Sequence, residues 1–174
     1  MKKLFILSVL VVVSTSVCEG SELPFSNTNQ HNLLVNACTR GEINLVKYYI
    51  ENGADPNAQD NNGHTLLGIA CQEGNETMVK TLIECGANVD EEDEFGNTPL
   101  ITAIYCRHIH IVEYLIKEGA NVNKVGEGGK TPLSIAKTFN ENGLGADLVQ
   151  CLINNGAEEL SNLDYPNEKE IADR

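Results

Sequence analysis

Apolar residues recur along the chain in short blocks, and glycine, asparagine and aspartate separate one block from the next. In one block Val79, Leu82 and Ile83 have the i, i+3, i+4 spacing of a helix with one buried face. The same spacing returns 33 residues further on, in Val112, Leu115 and Ile116. The pattern predicts short amphipathic helices and an all-α fold.

The 33-residue step runs through most of the chain. Glycine, threonine and alanine positions return at this interval, as Gly63, Gly96 and Gly129, as Thr65, Thr98 and Thr131, and as Ala37, Ala70, Ala103 and Ala136. A fixed period of this length is typical of repeat proteins, in which one helix pair cannot bury its own apolar face and must stack on its neighbours. The alignment predicts about four helix-turn-helix units, enough for a stable array.

Local signals within each unit support the same interpretation. In the Thr-Pro pairs at 98–99 and 131–132, the threonine can cap a helix whose first residue is proline. Gly86 and Gly119 are placed to end the second helix, because glycine adopts the left-handed conformation without a Cβ penalty. The Asn/Asp-rich stretch at 57–63 has the composition of a hairpin-like loop.

These motifs resemble the ankyrin repeat. The segments at 52–57, 85–90 and 118–123 read NGADPN, CGANVD and EGANVN, and GNTPL and GKTPL stand at 96–100 and 129–133. The resemblance extends over residues 32–160. It implies an ankyrin-repeat solenoid of helix-turn-helix units joined by hairpin-like loops, and a function in protein recognition rather than catalysis.

The chain departs from the family pattern at several positions. The residue after Thr-Pro-Leu, usually a histidine that ties adjacent units together, is Gly68, Ile101 or Ser134. Leu66 replaces the usual proline, and Arg107 replaces the usual glycine between the two helices. Gly68 also costs about 1 kcal/mol of helix propensity relative to alanine. We therefore expect an array less stable than an idealised one.

Segment boundaries follow from this alignment. We predict a signal peptide at 1–18, a polar linker at 19–31, a repeat domain at 32–160 with units 32–59, 60–92, 93–125 and 126–160, and a polar C-terminal tail or cap at 161–174. The Ala-to-Val interval is 9 residues in three units (37 to 46, 70 to 79, 103 to 112) but 13 in the fourth (136 to 149). Four extra residues are therefore predicted between the helices of the fourth unit, within 138–147.

The N-terminal segment has the pattern of a secretory signal peptide. Lys2 and Lys3 precede an apolar run that ends in small residues. The uncharged stretch from Leu4 to Cys18 holds 15 residues, fewer than the ~20 that span a bilayer, so we predict cleavage and no stable membrane span afterwards. The mature chain is expected to be secreted or periplasmic. Val17 before Cys18 favours ordinary cleavage over lipidation.

The charge balance limits the class of partner. With 25 Asp+Glu against 12 Lys+Arg, the formal net charge is −13, which argues against a nucleic-acid partner because such binding depends on Lys and Arg. We expect a basic or neutral protein partner and a monomeric chain. The acidic run at 90–94 lacks the pattern of a calcium loop and is interpreted as a solvated run or a patch that steers a partner.

Five cysteines follow Cys18, an odd number that cannot pair completely within one chain. Cys38 and Cys71 occupy the same repeat position. Packed helices place such positions ~8–10 Å apart, whereas a disulfide needs Cα atoms within ~7 Å. We predict that Cys38 and Cys71 are free and buried.

No catalytic motif is present in the sequence: it contains no GxSxG, no glycine-rich phosphate loop and no plausible pair of nucleophile and base. The chain is therefore predicted to be non-enzymatic and to need no cofactor. The alternative is an acidic metal-binding or catalytic protein that uses Cys106, His108 and His110. Zinc sites usually need four ligands, and no motif supplies the remainder.

The resemblance also implies which residues bind a partner, namely those on the loop tips and the concave ends of the first helices. No catalytic, cofactor or metal residue is assigned. The predicted protein-binding residues are Asn61, Asn62, His64, Gln72, Glu73, Glu94, Phe95, Asn97, Tyr105, Cys106, Lys130, Thr138 and Phe139.

Overall fold

The computed structural model describes residues 27–140 and 145–159, so the predicted signal peptide and the C-terminal tail lie outside the described residues. The described α-helices are α1 (Asn27–Thr39), α2 (Ile43–Glu51), α3 (Leu66–Gln72), α4 (Glu76–Glu84), α5 (Pro99–Tyr105), α6 (Ile109–Lys117), α7 (Pro132–Asn140) and α8 (Ala146–Asn154). These residues form no β-strand beyond an isolated bridge between Gln59 and Thr65. The all-α solenoid prediction is confirmed. No described helix has the length and apolarity to cross a membrane.

The helices form two layers. The first helices α1, α3, α5 and α7 pack side by side along the chain, and the second helices α2, α4 and α6 pack in a parallel row behind them. One continuous apolar core runs between the layers and includes the fully buried side chains of Val79, Leu82, Val112 and Leu115. Of the residues predicted from helical periodicity, these four are fully buried, whereas Ile83 and Ile116 are partly buried against the core.

Threonine caps begin three of the first helices. The hydroxyls of Thr65, Thr98 and Thr131 accept hydrogen bonds from the backbone N–H three residues later, at 3.0, 3.3 and 3.1 Å. This arrangement satisfies one of the unpaired N–H groups at each helix start. Pro99 opens α5 directly after its cap, and Ser134 returns a bond by accepting from the N–H of Thr131 at 2.9 Å. The predicted Thr-Pro helix starts are confirmed.

A ladder of side-chain to backbone hydrogen bonds joins successive units. One position per unit accepts the N–H of a residue in the next: Asn57 from Asn88 at 2.7 Å, Asp90 from Asn121 at 2.9 Å and Asn123 from Glu158 at 2.8 Å. Asp90 is therefore a structural acceptor. Within the run 90–94, the Asp90 carboxylate is thus held against the following unit by an exposed hydrogen bond.

Two boundaries differ from the sequence-based prediction. Helix α1 begins at Asn27, inside the segment 19–31 predicted as linker, because residues 27–31 contain no proline or glycine to stop the helix. In the fourth unit, α7 has nine residues where α3 and α5 have seven, and five residues separate it from α8 where three separate the earlier pairs. The four-residue insertion therefore adds two residues to α7 and two to the segment between α7 and α8.

Arg107 takes the backbone conformation usually reserved for glycine. Its φ is +60°, the only positive φ of a non-glycine among the described residues, whereas Gly41 and Gly74 occupy the equivalent turns. At Gly74 a neighbouring residue also excludes a side chain, because a Cβ there would lie 2.6 Å from the His108 ring. The Arg107 guanidinium stacks over the Phe139 ring at 4.6 Å. Such stacking contributes about 0.5–1 kcal/mol, which offsets part of the conformational cost.

All five described cysteines are free. Cys38 and Cys71 are buried in the core on α1 and α3, as predicted. The Cys38 thiol donates to the Leu66 carbonyl at 3.6 Å. Burial raises the pKa of Cys38 to about 12, and burial together with the nearby Cys106 and Cys38 thiols raises the pKa of Cys71 further above its ordinary value. Both thiols are protonated at neutral pH.

Candidate functional site

A groove of about 430 Å³ lies between α3 and α5 and the loops that precede them. We call it the α3–α5 groove. Six of the thirteen predicted binding residues line it, namely His64, Gln72, Phe95, Asn97, Tyr105 and Cys106. Residues predicted separately from two units thus lie around one concavity.

Two aromatic side chains give the groove its apolar character. Phe95, on the loop before α5, is 45% exposed, and Tyr105, the last residue of α5, is 43% exposed. The Phe95 ring tilts against the His64 ring with 5.5 Å between centroids. Exposed aromatic residues that share a concavity are typical anchors of a protein interface.

Asp93 fixes the loop that presents Phe95. One carboxylate oxygen accepts the N–H groups of Phe95 at 3.0 Å and Asn97 at 2.8 Å, and the other lies 3.8 Å from His64 Nδ1. The Asp93 side chain is only 10% exposed and lines the groove. Of the two interpretations of the run 90–94, a solvated run or a patch that steers a partner, the solvated one does not hold at Asp93.

Sequence reasoning missed Asp93 as a site residue, although a signal was present. Asp60 stands 33 residues earlier and accepts the N–H groups of Asn62 and His64, both at 2.9 Å. An aspartate repeated at the same loop position indicates a structural acceptor. The neighbouring Glu92 is also engaged, because it pairs with Lys124 at 2.7 Å.

The loops around the groove are tied to one another. The Glu94 N–H donates to the Gly63 carbonyl at 3.0 Å, and the Asn97 side-chain oxygen accepts the Glu127 N–H at 3.2 Å. These bonds connect the loops of three successive units. The walls of the groove are therefore held in place by the repeat stacking itself.

Other predicted residues lie outside the groove but near it. Asn61 and Asn62 are exposed on the loop before α3, Glu94 is exposed on the loop before α5, and Lys130 is exposed before α7. Glu73 is exposed after α3 and lies close enough to Cys106 that, together with burial, it raises the pKa of that thiol. Their part in binding stays a prediction.

The structure places the two remaining predicted residues in the fourth unit, away from the groove. Thr138 is exposed, and its hydroxyl donates to the Ile135 carbonyl at 2.7 Å. Phe139 is half-buried beneath the Arg107 guanidinium and packs against the core. Phe139 is therefore not among the residues that line the groove with Phe95 and Tyr105.

The three residues of the metal-binding alternative do not converge. Cys106 lines the groove, His108 Nε2 lies 3.2 Å from the Gln72 carbonyl oxygen, and His110 is exposed beside Glu113 with Nδ1 3.8 Å from its carboxylate. Within residues 27–140 and 145–159, no group of three or more His, Cys, Asp and Glu side chains is placed to hold a metal ion. The geometry gives that alternative no support.

Comparison with protein families agrees with this architecture. Three copies of the ankyrin repeat family profile match the chain, at residues 10–93, 33–126 and 85–164. The chain therefore belongs to the ankyrin repeat family. Ankyrin repeat proteins are typically non-enzymatic modules for protein–protein interaction. A comparison with curated proteins finds no match.

Proposed function

We propose that this chain is a non-enzymatic interaction module that binds a protein partner through the α3–α5 groove and the loop tips beside it. The observation that carries the proposal is the exposure of Phe95 and Tyr105 on the walls of a single groove. A few aromatic side chains commonly provide most of the energy of a protein interface. The net charge of −13 favours a basic or neutral partner, because like charges across an interface are repulsive.

Cross-linking from a cysteine inside the groove tests this proposal. The chain used comprises residues 19–174 and carries Cys85→Ser and Cys151→Ser. Of the described cysteines it retains, Cys38 and Cys71 are buried, so Cys106 is the accessible one. We expect a benzophenone maleimide attached to Cys106 to cross-link a specific protein partner. The labelling is carried out at pH 8, because burial raises the pKa of the Cys106 thiol and slows its reaction at lower pH.

The matched control moves the same probe to the other layer. With Cys106→Ser and Cys151→Ser, the probe is attached to Cys85, which follows α4 beside Lys47 and Glu84. Cys85 and Cys106 are both half-buried, so the two labelled chains differ mainly in the position of the probe. Equal cross-linking of the partner from both positions, or from Cys85 alone, would argue against the groove as the binding surface.

We further propose that the chain is exported and that its signal peptide is removed. Lys2, Lys3 and the apolar run after them support this proposal. N-terminal sequencing of protein from the periplasm or the culture medium should begin near Glu19. Recovery of the exported protein with Met1 intact, or its retention in the cytoplasm with Lys2 and Lys3 still present, would contradict the proposal.

A further inference from the structure

We propose that the α3–α5 groove is a subsite for an arginine side chain of the protein partner. The inference rests on the proposed function, because it specifies the chemistry of the partner at the same surface. It combines three features of the groove: fixed negative charge, exposed aromatic rings, and a described lining without Lys or Arg, in which His64 Nδ1 lies 3.8 Å from one Asp93 oxygen.

The charge of the groove has one sign. Asp93 and Glu127 both line it, and the exposed Glu73 directly follows Gln72, which also lines it. Among its described lining residues there is no lysine or arginine. A cation that enters the groove therefore meets two carboxylates without displacing an existing Lys or Arg partner. At neutral pH an apolar or acidic side chain gains no such attraction.

The Asp93 carboxylate is positioned before any ligand arrives. Its bonds to the N–H groups of Phe95 and Asn97 fix one oxygen and orient the other. A ligand therefore loses little free energy in ordering this acceptor. Only 10% of the Asp93 side chain is exposed. Solvent therefore screens its charge less than the charge of a fully exposed residue at a loop tip.

The aromatic walls favour arginine over lysine. A guanidinium is planar and weakly hydrated, so it stacks on aromatic faces while its edge donates to a carboxylate, whereas an ammonium is a strongly hydrated point charge. The chain already contains this contact one unit further on, where the Arg107 guanidinium lies 4.6 Å from the centre of the Phe139 ring. Tyr105 offers a comparable aromatic surface, 43% exposed, and Phe95 is 45% exposed, although its ring also lies against the His64 ring.

Selection from a random peptide library provides the test. The folded chain, residues 19–174, is panned with a displayed library, and counter-selection against a Phe95→Ala/Tyr105→Ala variant keeps only peptides that need the groove. We expect arginine to be enriched at one position of the retained peptides. Synthetic peptides then carry citrulline, an uncharged isostere, in place of that arginine. We expect the change to weaken binding about tenfold or more, and lysine at the same position to weaken it about threefold.

Two further variants identify the carboxylates that recognise the arginine. Glu127→Gln and Asp93→Asn should each reduce the difference in affinity between the arginine and citrulline peptides. Glu127 is exposed and its side chain makes no described structural bond, so this variant stays informative even if Asp93→Asn loosens the loop. Circular dichroism and thermal unfolding confirm that each variant is folded.

The outcomes separate the inference from the proposed function. Groove-dependent peptides that bind equally well with arginine or citrulline would overturn the arginine subsite and leave the groove as a binding surface. Failure to select any peptide that depends on Phe95 or Tyr105 would overturn the inference and count against the proposed surface as well. A citrulline effect that Glu127→Gln and Asp93→Asn both leave unchanged would place the arginine elsewhere and overturn the inference.

Discussion

Replacing Tyr105 or Phe95 with alanine is expected to weaken the partner complex by about 1–3 kcal/mol each, or about 5- to 150-fold in Kd. Both rings stand in one groove and are nearly half exposed in the free chain. A partner that covers the two rings removes most of this aromatic surface from water, which contributes to the binding free energy. Truncation to alanine removes that contribution. Isothermal titration calorimetry with the cross-linked partner, once identified, measures the change directly.

The control variants for this prediction lie on the opposite layer. Lys80 and Glu113 are on α4 and α6, and neither lines the groove. Lys80→Ala and Glu113→Ala should leave Kd within about twofold of the wild-type value, since exposed pairs contribute little. Folded aromatic variants with wild-type affinity, together with loss of binding in Lys80→Ala or Glu113→Ala, would move the interface to the second-helix layer.

The parts of the fold that were predictable depend on local chemistry repeated at a fixed interval. Thr98 caps α5 and Pro99 opens it because those two side chains act within one helical turn. Val79 and Leu82 are buried because helical periodicity places them on one stripe. The same interval aligned His64 and Asn97, and both residues line the α3–α5 groove.

The parts that were not predictable depend on contacts between units. Asp90 and Asp93 carry the same charge as their neighbours in the sequence. In the structure, however, Asp90 accepts a backbone N–H of the following unit, and Asp93 accepts a backbone N–H of its own loop. Phe139 was assigned to the binding face by matching positions to the family pattern, and the four extra residues of the fourth unit were predicted to lie between its two helices. Two of them extend α7 instead, and the ring meets Arg107 of the preceding unit.

The departures from the ankyrin pattern have compensations that the sequence alone does not reveal. Ile101, in place of the usual histidine, is fully buried, and the backbone at Gly126 of the fourth unit approaches it so closely that a Cβ there would lie 2.6 Å from the Ile101 Cδ1. Ser134, at the equivalent position, completes a reciprocal cap with Thr131 instead. The same repeat position therefore lies close to the next unit at Ile101 and completes a cap within its own unit at Ser134.

Alkaline pH is expected to destabilise the chain strongly through its two buried thiols. The pKa of Cys38 is raised from 9.0 to about 12 by burial, and the pKa of Cys71 is also raised, chiefly by burial. Above pH 9 the unfolded chain therefore releases protons that the folded chain retains. Stability contributed by these thiols is fully present below pH 9 and falls as the pH rises toward 12.

The loss should reach about 2–3 kcal/mol between pH 8 and pH 10, because each thiol contributes about 1.4 kcal/mol per pH unit once its unfolded form ionises. That is a large fraction of the 5–15 kcal/mol of a typical domain. Urea unfolding at pH 8, 9 and 10 in the presence of a reductant measures it. Tyr49 and Lys80, whose pKa values are also raised, add to the loss in the same direction, so the wild-type slope alone does not identify the thiols.

A matched pair of double variants isolates the buried thiols from those other groups. Cys38→Ala/Cys71→Ala removes the two buried thiols, whereas Cys85→Ala/Cys106→Ala removes two half-buried ones. The first variant should be less stable at pH 7, because truncation leaves small cavities, yet lose about 2–3 kcal/mol less than wild type between pH 8 and pH 10. The second variant should lose stability with rising pH more nearly as the wild type does, because Cys85 and Cys106 are less buried than Cys38 and Cys71. If both variants kept the wild-type slope, ionisation of Cys38 and Cys71 would not be the cause of alkaline unfolding.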